Sequence, residues 1–189
     1  MKKLLLSLVL VFAIAALSIF STYAVRRDQM AARRARVDHA WIKVSSAMQR
    51  RADLVPSVLA TMRATTARNR SAAVDVEQAR ADLQASPTPA AAISASRRLE
   101  ISVSRLYSEA QNDPDLPANH RFFTLEERWV MATNRIAPER ARFDAAVRDY
   151  NAFLSDFPNN IFARWASYTP LENYFTLSSQ AEERPFGSI

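Results

Sequence analysis

Apolar residues recur along residues 119–157 at Phe122, Leu125, Trp129, Ala132 and Ile136, then at Phe143, Val147, Tyr150, Leu154 and Phe157. Steps of three and four, with one heptad between Ile136 and Phe143, hold a single stripe of an α-helix toward a partner. The pattern predicts one helix from Asn119 to Phe157, about 58 Å long, with Pro138 kinking it. Such a helix cannot cover its own stripe, so other helices must lie along it. Val37, Trp41, Val44 and Met48 repeat the same steps and predict an earlier helix ending near Arg51. Upstream of that stripe, Leu4 to Val25 carries no charge at all.

Breaks in the pattern divide the remainder. Arg50-Arg51-Ala52-Asp53-Leu54-Val55-Pro56 reads as a stop and a restart, with Asp53 capping the next helix and Pro56 in its first turn. Val55, Val58, Leu59 and Met62, then Val74, Val76 and Ala79, carry that second helix to about Gln84. Ser86-Pro87-Thr88-Pro89 is a turn. A third helix with Ile93, Leu99, Ile101, Val103, Leu106 and Tyr107 follows and stops before Asn112-Asp113-Pro114-Asp115-Leu116-Pro117. The expected fold is all-α: an N-terminal transmembrane helix, then an up-and-down four-helix bundle of long helices. The chain divides into an anchor over 1–25, the bundle over 26–163, and an irregular or short-helical tail over 164–189.

Composition sharpens this picture. The 189 residues include a single glycine, which argues against a sheet protein and its glycine-dependent turns. The absence of cysteine excludes disulfides, thiolate catalysis, Cys-ligated zinc and a lipidated cysteine. As a helix, Leu4–Val25 spans about 33 Å, enough for a hydrocarbon core of about 30 Å. A retained anchor is the preferred reading, because the run is long and Thr22-Tyr23-Ala24 is a mediocre cleavage site; cleavage after Ala24 is the alternative. The net charge of +6 comes almost wholly from arginine, and after this run Arg26, Arg27, Arg33, Arg34 and Arg36, offset by Asp28 and Asp38, form a basic collar suited to anionic headgroups. No aromatic-interleaved basic surface follows, so nucleic acid is not expected as a partner. The collar argues for a cytoplasmic domain, whereas the short tail with Lys2 and Lys3 resembles an exporting signal anchor. The side of the membrane stays open.

Several stretches resemble one family. Ala40-Trp41 with Arg50-Arg51-Ala52-Asp53-Leu54-Val55-Pro56 is similar to the opening of LemA-family proteins. Asp113-Pro114-Asp115-Leu116 with Ala118-Asn119 and Phe122 resembles the family's Pro-Asp-Leu loop. Thr133-Asn134-Arg135-Ile136-Ala137, and Asp144-Ala145-Ala146-Val147-Arg148-Asp149-Tyr150-Asn151 with Phe157-Pro158, resemble its two later elements. The likeness runs in order over about residues 30 to 163. Arg164-Trp165-Ala166-Ser167 departs from it, standing where the family usually has a Phe-Gly-Phe-like motif. The resemblance implies a bacterial single-pass membrane protein with a helical-bundle domain and no established enzymatic activity. Family members are often encoded near a membrane zinc metalloprotease, which makes such a protease a partner by analogy only, and one branch serves in magnetosome membranes.

Chemistry is sparse. The two histidines, His39 and His120, lie in no motif, and no nucleophile–His–carboxylate set, His-Glu-x-x-His or phosphate loop is present. Asn112, Asp113 and Asp115 suit turn capping better than a cation. No enzyme activity, cofactor or metal is expected. Arg50, Arg51 and Asp53, and Asn134, Arg135, Asp149 and Asn151, stand among apolar neighbours. They are expected either to fix helix register as buried polar pairs, the preferred reading, or to form a polar patch that grips a partner. The expected function is a membrane-anchored, non-enzymatic scaffold or adaptor for other proteins. The alternative is a self-assembling structural protein, a homo-oligomer that organises or shapes the membrane.

Overall fold

The computed structural model describes residues 2–62, 70–110 and 120–171, and every regular element within them is an α-helix. In chain order these are α1 (Lys2–Ala52), α2 (Val55–Thr61), α3 (Arg70–Gln84), α4 (Pro89–Ala110), α5 (His120–Ser155) and α6 (Asn159–Trp165). The all-α class is as the periodicity predicts. α1 is 51 residues long and joins the uncharged run to the Val37–Met48 stripe without interruption.

The break after α1 differs from the expected one. Asp53 makes no side-chain cap; the residue before α2 is Leu54, itself in right-handed helical conformation at φ −78°, ψ −19°. The Asp53 N–H donates to the Gln49 carbonyl at 2.9 Å and the Val58 N–H to the Leu54 carbonyl at 3.0 Å. The ladder fails between them because Pro56 has no N–H to offer the Ala52 carbonyl. α4, by contrast, has a side-chain cap: the Thr88 Oγ1 accepts from the Ala91 N–H at 3.2 Å, ahead of Pro89 in the first turn. The second helix of the sequence reading is α2 and α3, with residues 63–69 outside the described residues. Asn112 to Pro117, including Asp113 and Asp115, also lie outside them.

The chain forms two compact units. The first takes the described parts of Met1–His39 and Ala145–Glu172. Met30 and Val37 of α1, Val147, Tyr150 and Leu154 of α5, and Phe162 and Ala163 of α6 are buried. Asn151 ties the chain after α6 to α5: its Nδ2 donates to the Leu171 carbonyl at 2.7 Å, and its Oδ1 accepts from the Leu171 N–H at 2.8 Å. The Tyr150 hydroxyl adds a bond to the Thr169 carbonyl at 3.1 Å. α6 closes with the Tyr168 N–H on the Ala163 carbonyl and the Ser167 N–H on the Arg164 carbonyl. This Schellman closure puts Ser167 at φ 57°, a position that favours glycine.

The second unit is built from Ala40–Asp144. Val44, Ala47, Met48 and Ala52 of α1, Val55 and Val58 of α2, Val76 and Leu83 of α3, Leu99, Val103 and Leu106 of α4, and Phe122, Leu125, Trp129 and Phe143 of α5 are its buried apolar residues. α3 and α4 pack along one another across the short turn at Ser86–Thr88. Edge-on ring contacts join Trp41 to Phe143 at 5.6 Å, and Tyr107 meets Phe122 at 5.4 Å. Burial of each large aliphatic side chain contributes about 1.5–3 kcal/mol. Three residues placed on apolar stripes turn outward instead: Val74, Ile101 and Phe157 are exposed. Phe157 lies beyond the last turn of α5, where the helical period no longer applies.

Candidate functional site

The polar positions singled out in the sequence separate into an internal set and an exposed set. Arg51 belongs to the first. It lies on the stripe of Val44, Met48 and Val55, and that phase carries it into the core of the second unit, where it is 1% exposed. Its Nη2 donates to the Ser96 carbonyl at 2.6 Å and to the Ser96 hydroxyl at 2.8 Å. Its Nη1 reaches Glu100 Oε2 at 2.8 Å and Thr133 Oγ1 at 3.5 Å. The guanidinium carbon lies 5.5 Å from the centre of the Trp129 ring. One side chain of α1 thereby fixes α4 and α5, which is the register role. Ser96 was missed by the sequence reading, although it interrupts the stripe of Ala92, Ala95 and Leu99, a detectable signal.

Asp149 and Asn151 work within the first unit. Asp149 Oδ2 pairs with Arg36 Nη2 at 3.1 Å and Arg33 Nε at 3.4 Å, the second an ion pair without hydrogen-bond geometry. The Arg33 guanidinium also stacks 3.8 Å from the centre of the Phe153 ring, and Arg34 Nε pairs with Asp38 at 3.2 Å. Asp149 is nevertheless exposed, so this network is solvated and contributes little to stability. The collar therefore divides. Arg33, Arg34 and Arg36 have carboxylate partners, whereas Arg26 reaches only Gln29, at 3.3 Å, and Arg27 has no polar partner among the described residues.

Asn134 and Arg135 correct the expectation of buried polar pairs. Both are exposed on α5, off the phase of Ala132 and Ile136, and neither makes a side-chain hydrogen bond or ion pair among the described residues. Val130 and Met131, one turn earlier, are exposed as well. Pro138, one turn later, lies inside the helix and has no N–H for the Asn134 carbonyl. This face of α5 thus offers two apolar side chains, an amide, a guanidinium and an underused carbonyl acceptor. Arg50 and Asp53 are also exposed and fix no register.

Two grooves lie among the described residues of the second unit. One groove lies between α2 and α3, about 320 Å³, lined by Val55, Leu59, Glu77 and Arg80. A second, about 250 Å³, lies between Ser57 and Thr61 of α2 and Arg121, Leu125 and Arg128 of α5. His39 is exposed, and no cluster of three or more His, Asp or Glu with metal-binding geometry occurs among the described residues. Two tyrosines are perturbed. Burial, aided by the Glu126 charge, raises the Tyr107 pKa well above its ordinary value near 10, and the hydroxyl has no hydrogen-bond partner among the described residues. Burial also raises Tyr150, against the opposing effect of Arg34. Neither lines the two grooves above, and burial is the first cause of both shifts.

Comparison with known proteins agrees with the helical signature residues. The model of the LemA family matches residues 40–186, which extends the likeness through the segment set apart as a tail. No curated protein matches the chain.

Proposed function

We propose, for a chain that belongs to the LemA family, a membrane-tethered and non-enzymatic module that holds another protein on the outer face of α5. The single observation behind this reading is that Asn134 and Arg135 are exposed beside the exposed Val130 and Met131, while Arg51 and Asn151 serve the fold. Interface cores favour such a mixture of apolar side chains and arginine. The tether is α1: it is the one helix among the described residues long and apolar enough to cross a membrane, and Leu8, Phe12, Leu17 and Phe20 are exposed along it.

The test exploits the absence of cysteine. A benzophenone attached to Met131→Cys is activated in cells, and adducts are resolved by mass. The expected result is a cross-link to a different protein that is lost on adding Arg135→Ala, with thermal stability changed by less than about 0.5 kcal/mol. Adducts only between copies of this chain would favour a self-assembling structural protein instead. Loss of stability in Arg135→Ala would return the residue to a role in the fold.

A further inference from the structure

α6 carries an apolar surface that its own packing does not use. Asn159, Phe162 and Ala163 face the first unit and are buried. On the other side, Ile161 and Trp165 are one turn apart and remain 41% and 64% exposed, and Phe157 just ahead of the helix is 80% exposed. Three large apolar side chains this open, within nine positions of chain, form a patch rather than scattered exceptions.

The position of that patch identifies what covers it. Tyr23 of α1 meets the Phe162 ring edge-on at 5.8 Å and the Trp165 ring at 6.4 Å. Tyr23 is about 3 Å of helix rise from Val25, the last residue of the uncharged run. α6 is therefore tied to α1 at the level where the apolar surface of α1 ends, and the exposed Phe20 and Val25 flank the same level. Arg26 and Arg27 follow on α1 and Arg164 lies on α6, with Asp28 and Asp156 as the acidic residues nearest in sequence among the described residues. Tryptophan and tyrosine at the end of an apolar span, with arginines alongside, match the boundary between acyl chains and anionic headgroups.

We infer that α6 is an interfacial helix that seats Phe157, Ile161 and Trp165 in the headgroup–acyl boundary of the leaflet where α1 emerges. The inference rests on α1 spanning the bilayer, as in the proposed function. Seating α6 there would fix the first unit against the membrane surface through two elements instead of one.

Single cysteines at Phe157 and Ile161 carry a nitroxide in the full chain, reconstituted in phosphatidylcholine–phosphatidylglycerol vesicles. Collision with oxygen, which partitions into lipid, is compared with collision with a water-soluble nickel chelate. Leu10→Cys reports the span and Ser94→Cys, an exposed position of α4, reports water. The expected result is an oxygen-to-nickel ratio at both test positions several-fold above that of Ser94→Cys and below that of Leu10→Cys. Test positions equal to Ser94→Cys, with Leu10→Cys deep in lipid, would overturn the inference and leave the anchor standing. A water-like Leu10→Cys would overturn both. Protection from both reagents at Phe157 and Ile161 would mean that protein covers the patch, and would also overturn the inference.

Discussion

Arg51 shows how much one buried charge is made to organise. It reaches Ser96 twice and Glu100 once, and its guanidinium carbon lies 5.5 Å from the centre of the Trp129 ring. Arg51→Ala leaves the buried Ser96 hydroxyl without its donor and opens a cavity, while the half-exposed Glu100 stays solvated; a loss of about 1–3 kcal/mol is expected in urea unfolding. Arg51→Lys recovers only part of this, since one ammonium cannot reproduce the planar fork toward both Ser96 and Glu100. Equal stability of the lysine variant and the parent would refute the forked geometry. Tyr107 poses the opposite case, a buried hydroxyl with no hydrogen-bond partner among the described residues. Its raised pKa means that the folded state keeps the proton after the unfolded chain has begun to release it. The associated stability is complete below about pH 10 and declines as pH climbs through the folded pKa. Tyr107→Phe should cost nothing near neutrality and should flatten the fall in stability above pH 10. An unchanged alkaline slope would place the titration elsewhere, with Tyr150 the next group to substitute.

At the scale of elements, helix phase decided what the sequence made legible. The stripes of α1 and α5 were read from apolar steps alone, and Val44, Met48, Leu125, Trp129, Phe143 and Val147 are buried as expected. Arg51 falls on its stripe and is inside; Asn134 and Arg135 fall off theirs and are outside. Proximity in sequence to Ala132 and Ile136 suggested burial, but the rotation of the helix overrode it. Contacts of high sequence separation were out of reach, because no local pattern relates Asn151 to Leu171 or Tyr23 to Phe162. The first of these pairs predicts a measurable effect. Asn151→Ala removes both bonds to the Leu171 backbone, in a segment that no helix supports. Amide exchange should accelerate at Leu171, with little change in the second unit, where the Asn151 side chain makes no hydrogen bond among the described residues. Uniform acceleration in both units would show that Asn151 supports the whole fold.

For the molecule as a whole, the exposed apolar surface of α1 is the dominant physical fact. Leu6, Leu8, Val9, Leu10, Val11, Phe12, Ile14, Leu17, Ile19 and Phe20 are all more than half exposed, and none of the described residues covers them. In water such a surface would drive aggregation, and in a bilayer it is matched to the solvent. Arg26 and Arg27, with few protein contacts, are free to meet headgroups at the end of the run, whereas Arg33 and Arg36 are occupied with Asp149. The membrane attachment should therefore depend on the apolar run and only weakly on the distal arginines. Replacing Phe12 and Ala16 by arginine costs about 2.5–3.5 kcal/mol each at the centre of a span. That double variant should move from the carbonate-resistant membrane fraction to the soluble or aggregated one. Arg33→Gln with Arg36→Gln should stay with the membrane while losing the pairing to Asp149. Intact mass of the membrane-bound chain separates an anchor from a cleaved leader: retention of residues 1–24 is expected. A product beginning at Val25 would overturn the retained anchor and, with it, the premise on which the seating of α6 rests.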